Sequence, residues 1–273
     1  MNNLYRELAP VTDEAWAQIE QEAARTARRY LAGRRIAHVS GPAGETFAAV
    51  GTGRIEQTDS LAEGVLSWQR QALRLIQLRA PFTLNRAEID AVERGAQDAD
   101  WDPVRAAARQ IALAEDLAIF SGYPAAGIVG IVPGAANSTL VLPTELADYP
   151  AAIAGAIAEL RAAGVDGPYT AVLSADVYTA LSQASSHGYP VIQHVRRLLD
   201  GEIVWAPALS GAVVLSMRGG DFSLHLGQDL SIGYDSHTSA EVTLYLQESF
   251  TFQLLAGEAA VPLAASKASA ATA

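Results

Sequence analysis

The stretch from Arg218 to Phe252 constrains this chain most, because it holds three alternating patterns in succession. Phe222, Leu224 and Leu226 alternate with their neighbours, then Leu230, Ile232 and Tyr234, then Val242, Leu244 and Leu246. A period of two puts alternate side chains on one face of a strand, so each segment predicts a strand with one apolar face. Gly219-Gly220, Gly227 and the polar run Asp235 to Ser239 supply the breaks between them. No nucleophile, general base or metal cage stands out in this stretch, which reads as scaffold.

Upstream, the pattern alternates between helix and strand. Thr12, followed by Asp13 and Glu14, is a helix start, and the helix is expected to stop at Gly33. Its apolar positions Trp16, Ile19, Ala23, Ala27 and Tyr30 form one stripe. Two readings of that stripe stay open: packing on its own domain, or one wall of a peptide groove. Strand patterning then runs from Arg34 to Leu78, with a long segment from Val65 to Leu78 that suggests an extended hairpin. A two-stranded hairpin is marginal alone and needs another surface, from the same chain or a neighbour. Pro81 to Leu84 is read as the lead-in to a short helix, with Asn85 as N-cap and Glu88 completing a capping box. Asp102-Pro103 starts a long helix from Val104 to Ser121, whose many alanines imply close approach to a neighbour. Residues 125 to 217 read as a compact α/β unit, and the run after Leu263 as a low-complexity, disordered tail.

Composition removes several function classes. The net charge of −11 argues against an extended nucleic-acid-binding surface, which would concentrate Lys and Arg. No apolar run approaches the roughly 20 residues of a membrane span. The opening residues lack the pattern of a secretory signal, and with no cysteine a cytoplasmic location is the expectation. The five histidines form no metal-binding spacing; Asp221 with His225 is the best two-ligand pair, and no metal is expected. His187 beside Ser174 and Asp176 can be drawn as a triad, but no G-x-S-x-G elbow accompanies it. Gly127 to Gly130 lacks nucleotide-binding spacing, so no cofactor and no catalytic residues are expected.

A set of motifs in order along the chain carries more. NNLYRELAPVTDEAWAQIE, AGRRIAHVSGP, LRAPFTL, EIDAVERG, DGPYTAVLSADVY, HGYPVIQHV, RGGDF, LGQDLSIGYDSH and LYLQESFTF together resemble the encapsulin shell proteins, also described as linocin-type bacteriocins. The likeness covers about residues 1 to 263 and is nearest to the actinobacterial type.

That resemblance implies an α+β fold of the tailed-phage major capsid type (Hong Kong 97 type). Residues 1–45 would hold the N-terminal helix and the start of the peripheral domain, and 46–78 the extended loop. Residues 79–124 would carry the spine helix, 125–217 the axial domain, 218–263 the closing peripheral sheet, and 264–273 the tail. It also implies a shell of about sixty copies of this chain, with no nucleic acid and no membrane. The shell would enclose a dye-decolourising peroxidase or a ferritin-like enzyme, recruited by a C-terminal targeting peptide. Carried onto this sequence, the peptide groove would be lined by Ala27, Tyr30, Leu31 and Ile36 on one side and Leu230, Ile232 and Tyr234 on the other. The small side chain of Ala27 implies a shallower pocket. His187, Gly188 and Tyr189 would line a five-fold pore. The alternative is a secreted bacteriocin or protease, which the missing signal and triad argue against.

Overall fold

The computed structural model describes residues 3–186 and 188–265. Helix α1 (Asp13–Tyr30) starts where the Thr12 hydroxyl accepts from the Ala15 amide at 3.3 Å, with Asp13 and Glu14 at the positive end of its dipole. It ends short of Gly33, where any side chain would collide with Ile119. Strand β1 (His38–Ser40) follows, then the hairpin of β2 (Ala49–Thr58) and β3 (Ser67–Arg74). After Leu75 alone comes β4 (Ile76–Asn85), then α2 (Arg86–Glu93) and the long α3 (Asp102–Ser121).

The next unit contains α4 (Ile131–Gly134), β5 (Leu140–Leu142), α5 (Tyr149–Ala162), β6 (Tyr169–Leu173) and α6 (Ala175–Gln183). A small hairpin of β7 (Ser185–Ser186) and β8 (Tyr189–Pro190), then α7 (Val191–Leu198), β9 (Ile203–Trp205) and β10 (Ala212–Ser216) complete it. The chain closes through β11 (Phe222–Leu226), β12 (Ser231–His237), β13 (Glu241–Leu254) and β14 (Ala260–Ala265).

Strand β13 organises the first sheet. It pairs antiparallel with β4 from Glu241 to Phe250, while β12 and β11 follow one another along it, and β1 adds parallel to β11. Alternation gives this sheet its covered face: Ile232, Val242, Leu244 and Leu246 join Trp16, Ile19 and Ile111 in one core. Small residues on α3 (Ala107, Ala108 and Ala112) let α1 lie close against it. The second sheet has the order β5-β14-β10-β6-β9. Every residue of β6 and β10 is buried there, which explains their continuous apolar runs in place of alternation.

Four expectations need correction. Pro81 to Leu84 is strand, because Ala80, Phe82 and Leu84 alternate inward, and Pro81 is tolerated on an edge strand. The segment from Val65 to Leu78 is two strands broken at Leu75, whose amide donates to the Ala48 carbonyl. Asn85 does cap α2, its Oδ1 accepting from Ala87, but Glu88 accepts from the Asp100 amide and closes no capping box. Finally, residues 260–265 leave the closing sheet altogether. As β14 they pair with β10 and β5, so Ala264 and Ala265, expected in the tail, are strand residues. The run Ala260 to Leu263 is buried throughout and belongs where both faces are covered.

Candidate peptide-binding groove

The cleft that matters lies between α1, the N-terminal segment and the sheet. On α1, Ala23, Ala24 and Ala27 face it; from α3 comes Ala108, and from β12 and β13 come Ile232 and Leu246. Leu230 and Ser231, at the start of β12, form its side, and Leu4 closes it from the N-terminal segment. The cavity measures about 330 Å³. It exists because four alanines stand where larger side chains would fill the space. Ala27 therefore opens the pocket, whereas its small size had implied a shallower one.

One edge of this apolar cleft is charged. Arg6 pairs with Glu20 at 2.6 Å and lies over the Trp16 ring, 4.2 Å from its centroid. Trp16 and Glu20 are four residues apart on one helix face, so a single guanidinium reaches both. The N-terminal segment is tied to the sheet where the Leu4 carbonyl accepts from the Tyr234 amide at 2.8 Å and the Asn3 carbonyl from the Tyr245 hydroxyl at 3.3 Å. Gly233 is required between Ile232 and Tyr234, since any Cβ there would strike the Tyr245 ring.

Of the seven residues that the resemblance assigns to the groove, Ala27, Leu230 and Ile232 line this cavity. Leu31 is buried with Ala27 and Ala112, behind the wall. Tyr30 borders that cluster and tilts against Trp205 at 5.5 Å between centroids, with the Arg109 guanidinium 5.3 Å from its ring. Ile36 is in the core that spans the second sheet, so it does not reach the groove. Tyr234 shares a face with Ile232 but lies beyond the crossing of the N-terminal segment, its hydroxyl 2.6 Å from His237 Nδ1. Ala23, in the α1 stripe that the sequence offers as one wall of a groove, lines it too, whereas Leu4, Arg6, Glu20, Ala24, Ala108, Ser231 and Leu246 carry no such signal in the sequence. Leu4 and Arg6 come from a segment without periodicity, so only their placement against a distant helix reveals them.

Elsewhere, His187 lies outside the described residues. Gly188 takes a φ of 77°, and the half-exposed Tyr189 ring stands 4.8 Å from His194 and 5.0 Å from the Arg197 guanidinium. Ser174 caps α6, accepting from the Val177 amide. Asp221 is held by Arg218 at 2.9 Å, which spends its carboxylate on an ion pair and not on His225. Among the described residues no group of three or more potential ligands could hold a metal ion, and no helix is long and apolar enough to cross a membrane.

Comparison with known proteins gives this geometry its context. Residues 1–251 match the Linocin_M18 family, described as "Encapsulating protein for peroxidase". A "Type 1 encapsulin shell protein" of Rhodococcus erythropolis is 55% identical over 264 residues, covering 97% of this chain and 100% of its own. One from Mycolicibacterium paratuberculosis is 56% identical over 263 residues, covering 96% and 99%. Among solved structures, the virus-like particle of Pyrococcus furiosus superposes with a TM-score of 0.65 at 12% identity, covering 91% of this chain and 98% of that one. The capsid of Myoviridae phage XM1 gives 0.54 at 12%, covering 86% and 92%. The fold is thus the α+β fold of tailed-phage capsid proteins, and the chain belongs to the Linocin_M18 family of encapsulin shell proteins.

Proposed function

We propose that about sixty copies of this chain close into an icosahedral compartment in the cytoplasm, with no catalysis of its own. The cargo is a peroxidase of the dye-decolourising class or a ferritin-like enzyme; the family's description as an encapsulating protein for peroxidase supports the first. The observation that carries the reading is the apolar cavity of about 330 Å³ between α1 and β12, at the small end of the range that holds a specific ligand. It takes one or two aliphatic side chains of an extended targeting peptide, with the Arg6–Glu20 pair at its edge to meet the peptide's polar positions. The β7–β8 hairpin, with Gly188 and Tyr189, lines a pore for small substrates. Neither the family match nor the relatives above support a secreted bacteriocin or protease.

Filling the cavity tests this. Ala24 is exposed on α1 and lines the cleft, so Ala24→Trp blocks it without disturbing the core. The expected result is intact shells that are empty of enzyme. Normal loading in Ala24→Trp shells would rule out this groove as the cargo site.

A further inference from the structure

Directly behind the Leu230 wall sits a buried charge cluster that the shell reading does not use. Arg34 donates from Nε and Nη2 to both oxygens of Glu115, at 2.9 and 2.6 Å. The same Nη2 donates to Glu248 Oε2 at 3.0 Å, and Nη1 donates to Asp229 at 2.7 Å. The Glu115 and Glu248 side chains are wholly buried, while Asp229 is 47% exposed. Glu248 Oε1 is buried and has no hydrogen-bond partner among the described residues. One guanidinium nitrogen therefore holds two buried carboxylates together, and one cation cannot compensate both. A proton on Glu248 removes one of the two buried negative charges, leaving Arg34 matched to Glu115 inside and to the half-exposed Asp229, and lets the two Glu248 oxygens be a donor and an acceptor.

Every charged group around Glu248 is consistent with that state. Helix α3 contributes Glu115, with Asp116 beside it acting on Glu115 and Arg34, the turn after α1 contributes Arg34, and the β11–β12 connection contributes Asp229. On the neighbouring strand β4, Leu78 lies opposite Glu248, while Arg79 is taken up by Gln247 at 2.8 Å and by the Tyr245 ring. Asp116 accepts from the amides of Ala32 and Gly33 at 2.9 and 2.8 Å. Burial, and then the Glu115 carboxylate, push the Glu248 pKa well above the ordinary range. Burial works against the charge on Arg34, but Glu115 and Asp229 outweigh it and raise its pKa.

The link to the groove is one residue long. The Asp229 carboxylate that Arg34 holds also accepts from the Leu230 amide at 2.8 Å, and Leu230 lines the cavity. We infer that the Arg34–Glu115–Glu248–Asp229 cluster is a proton-dependent latch for the groove: with a proton on Glu248, Arg34 stays on Asp229 and holds the Leu230 wall, and loss of that proton to water draws Arg34 from Asp229 and frees the wall. This inference rests on the groove being the cargo site. Alkaline conditions then loosen cargo, and neutral conditions hold it.

The test compares assembled wild-type shells with Glu248→Gln, which keeps the size of the side chain and cannot lose a proton. Infrared difference spectra should show a protonated carboxyl C=O band in the wild type at pH 7 that is absent from Glu248→Gln. The binding probe is a labelled synthetic peptide of the C-terminal segment of the co-purified cargo. Its affinity should fall about tenfold between about pH 7 and pH 9 in the wild type, and less than about twofold in Glu248→Gln. Identical infrared spectra would overturn the latch, and so would equal affinity profiles. If the peptide binds neither shell at any pH, the groove reading fails by itself. The latch is then decided by exchange of the Leu230 and Ser231 amides at one alkaline pH: faster exchange in the wild type supports it, and equal exchange overturns it. Should Glu248→Gln not fold, the carboxyl band is read in Asp116→Asn shells at pH 7, where the other buried carboxyl of raised pKa is gone: its presence supports the latch and its absence overturns it.

Discussion

Strand β13 and the β2–β3 hairpin are both long and antiparallel, yet they solve the burial problem in opposite ways. From Val242 to Phe252, β13 is buried at nearly every residue, with partners on both edges. Among the described residues β2 and β3 form ladder pairs only with each other, and most of both strands is exposed. Its large apolar side chains point into solvent: Ile55 is 62% exposed, Leu61 90% and Leu66 65%. One strand is stabilised by its own chain, while the other carries apolar surface that a single copy leaves uncovered. Uncovered apolar surface of this kind marks a contact site, and the proposed shell supplies its cover as a neighbouring copy.

The comparison breaks most visibly in the hairpin. Replacing Leu66 and Trp68 with Asp should leave a folded monomer that no longer assembles, seen as loss of the particle peak with unchanged circular dichroism. Unimpaired assembly would mean that the hairpin is not a contact between copies. In β13 the opposite holds. Phe250 is fully buried, so Phe250→Ala should destabilise the subunit by about 3–5 kcal/mol in denaturant unfolding, whether or not it is assembled.

A smaller effect follows from the carboxylates beneath β13. Burial raises the Asp116 pKa to about 7 despite its two backbone hydrogen bonds. A raised folded-state pKa means that the folded chain holds a proton the unfolded chain gives up. The associated stability is complete below the unfolded value, near 4, and is lost as pH rises through about 7. Glu248, whose pKa burial also raises, contributes a loss of the same sign. Melting temperature should therefore fall from mildly acidic to alkaline pH, and Asp116→Asn should flatten the lower part of that slope. An equal slope in Asp116→Asn would assign the titration elsewhere. The smallest change is expected at the surface of α1, where Arg25 pairs with Glu22 at 2.6 Å across one turn. Arg25→Ala should cost no more than about 0.5 kcal/mol, and only at low salt.

Much of this was legible in the sequence because local periodicity reports local burial. The stripe Trp16, Ile19, Ala23 and Ala27 is the buried face of α1, and the alternation around Leu224, Ile232 and Leu244 marks β11 to β13. The uncovered hairpin was legible too, as strands without a surface. What failed lacked a local signature. The β14 run is apolar at nearly every position, so it carries no period to say which sheet takes it. Pro81 concealed an edge strand behind a residue that usually ends one. Ile36 looked like a groove residue by position, but the turn at Gly33 carries it into the other core. The partners of Arg34 lie 81, 195 and 214 residues away, and no spacing rule spans such distances.

The most direct test of the account is the native mass of particles purified from the source cell. Sixty copies of a 28.7 kDa chain give a shell of about 1.7 MDa, and the account predicts hollow particles of that order with an enzyme inside. A uniform monomer or small oligomer without cargo would contradict it.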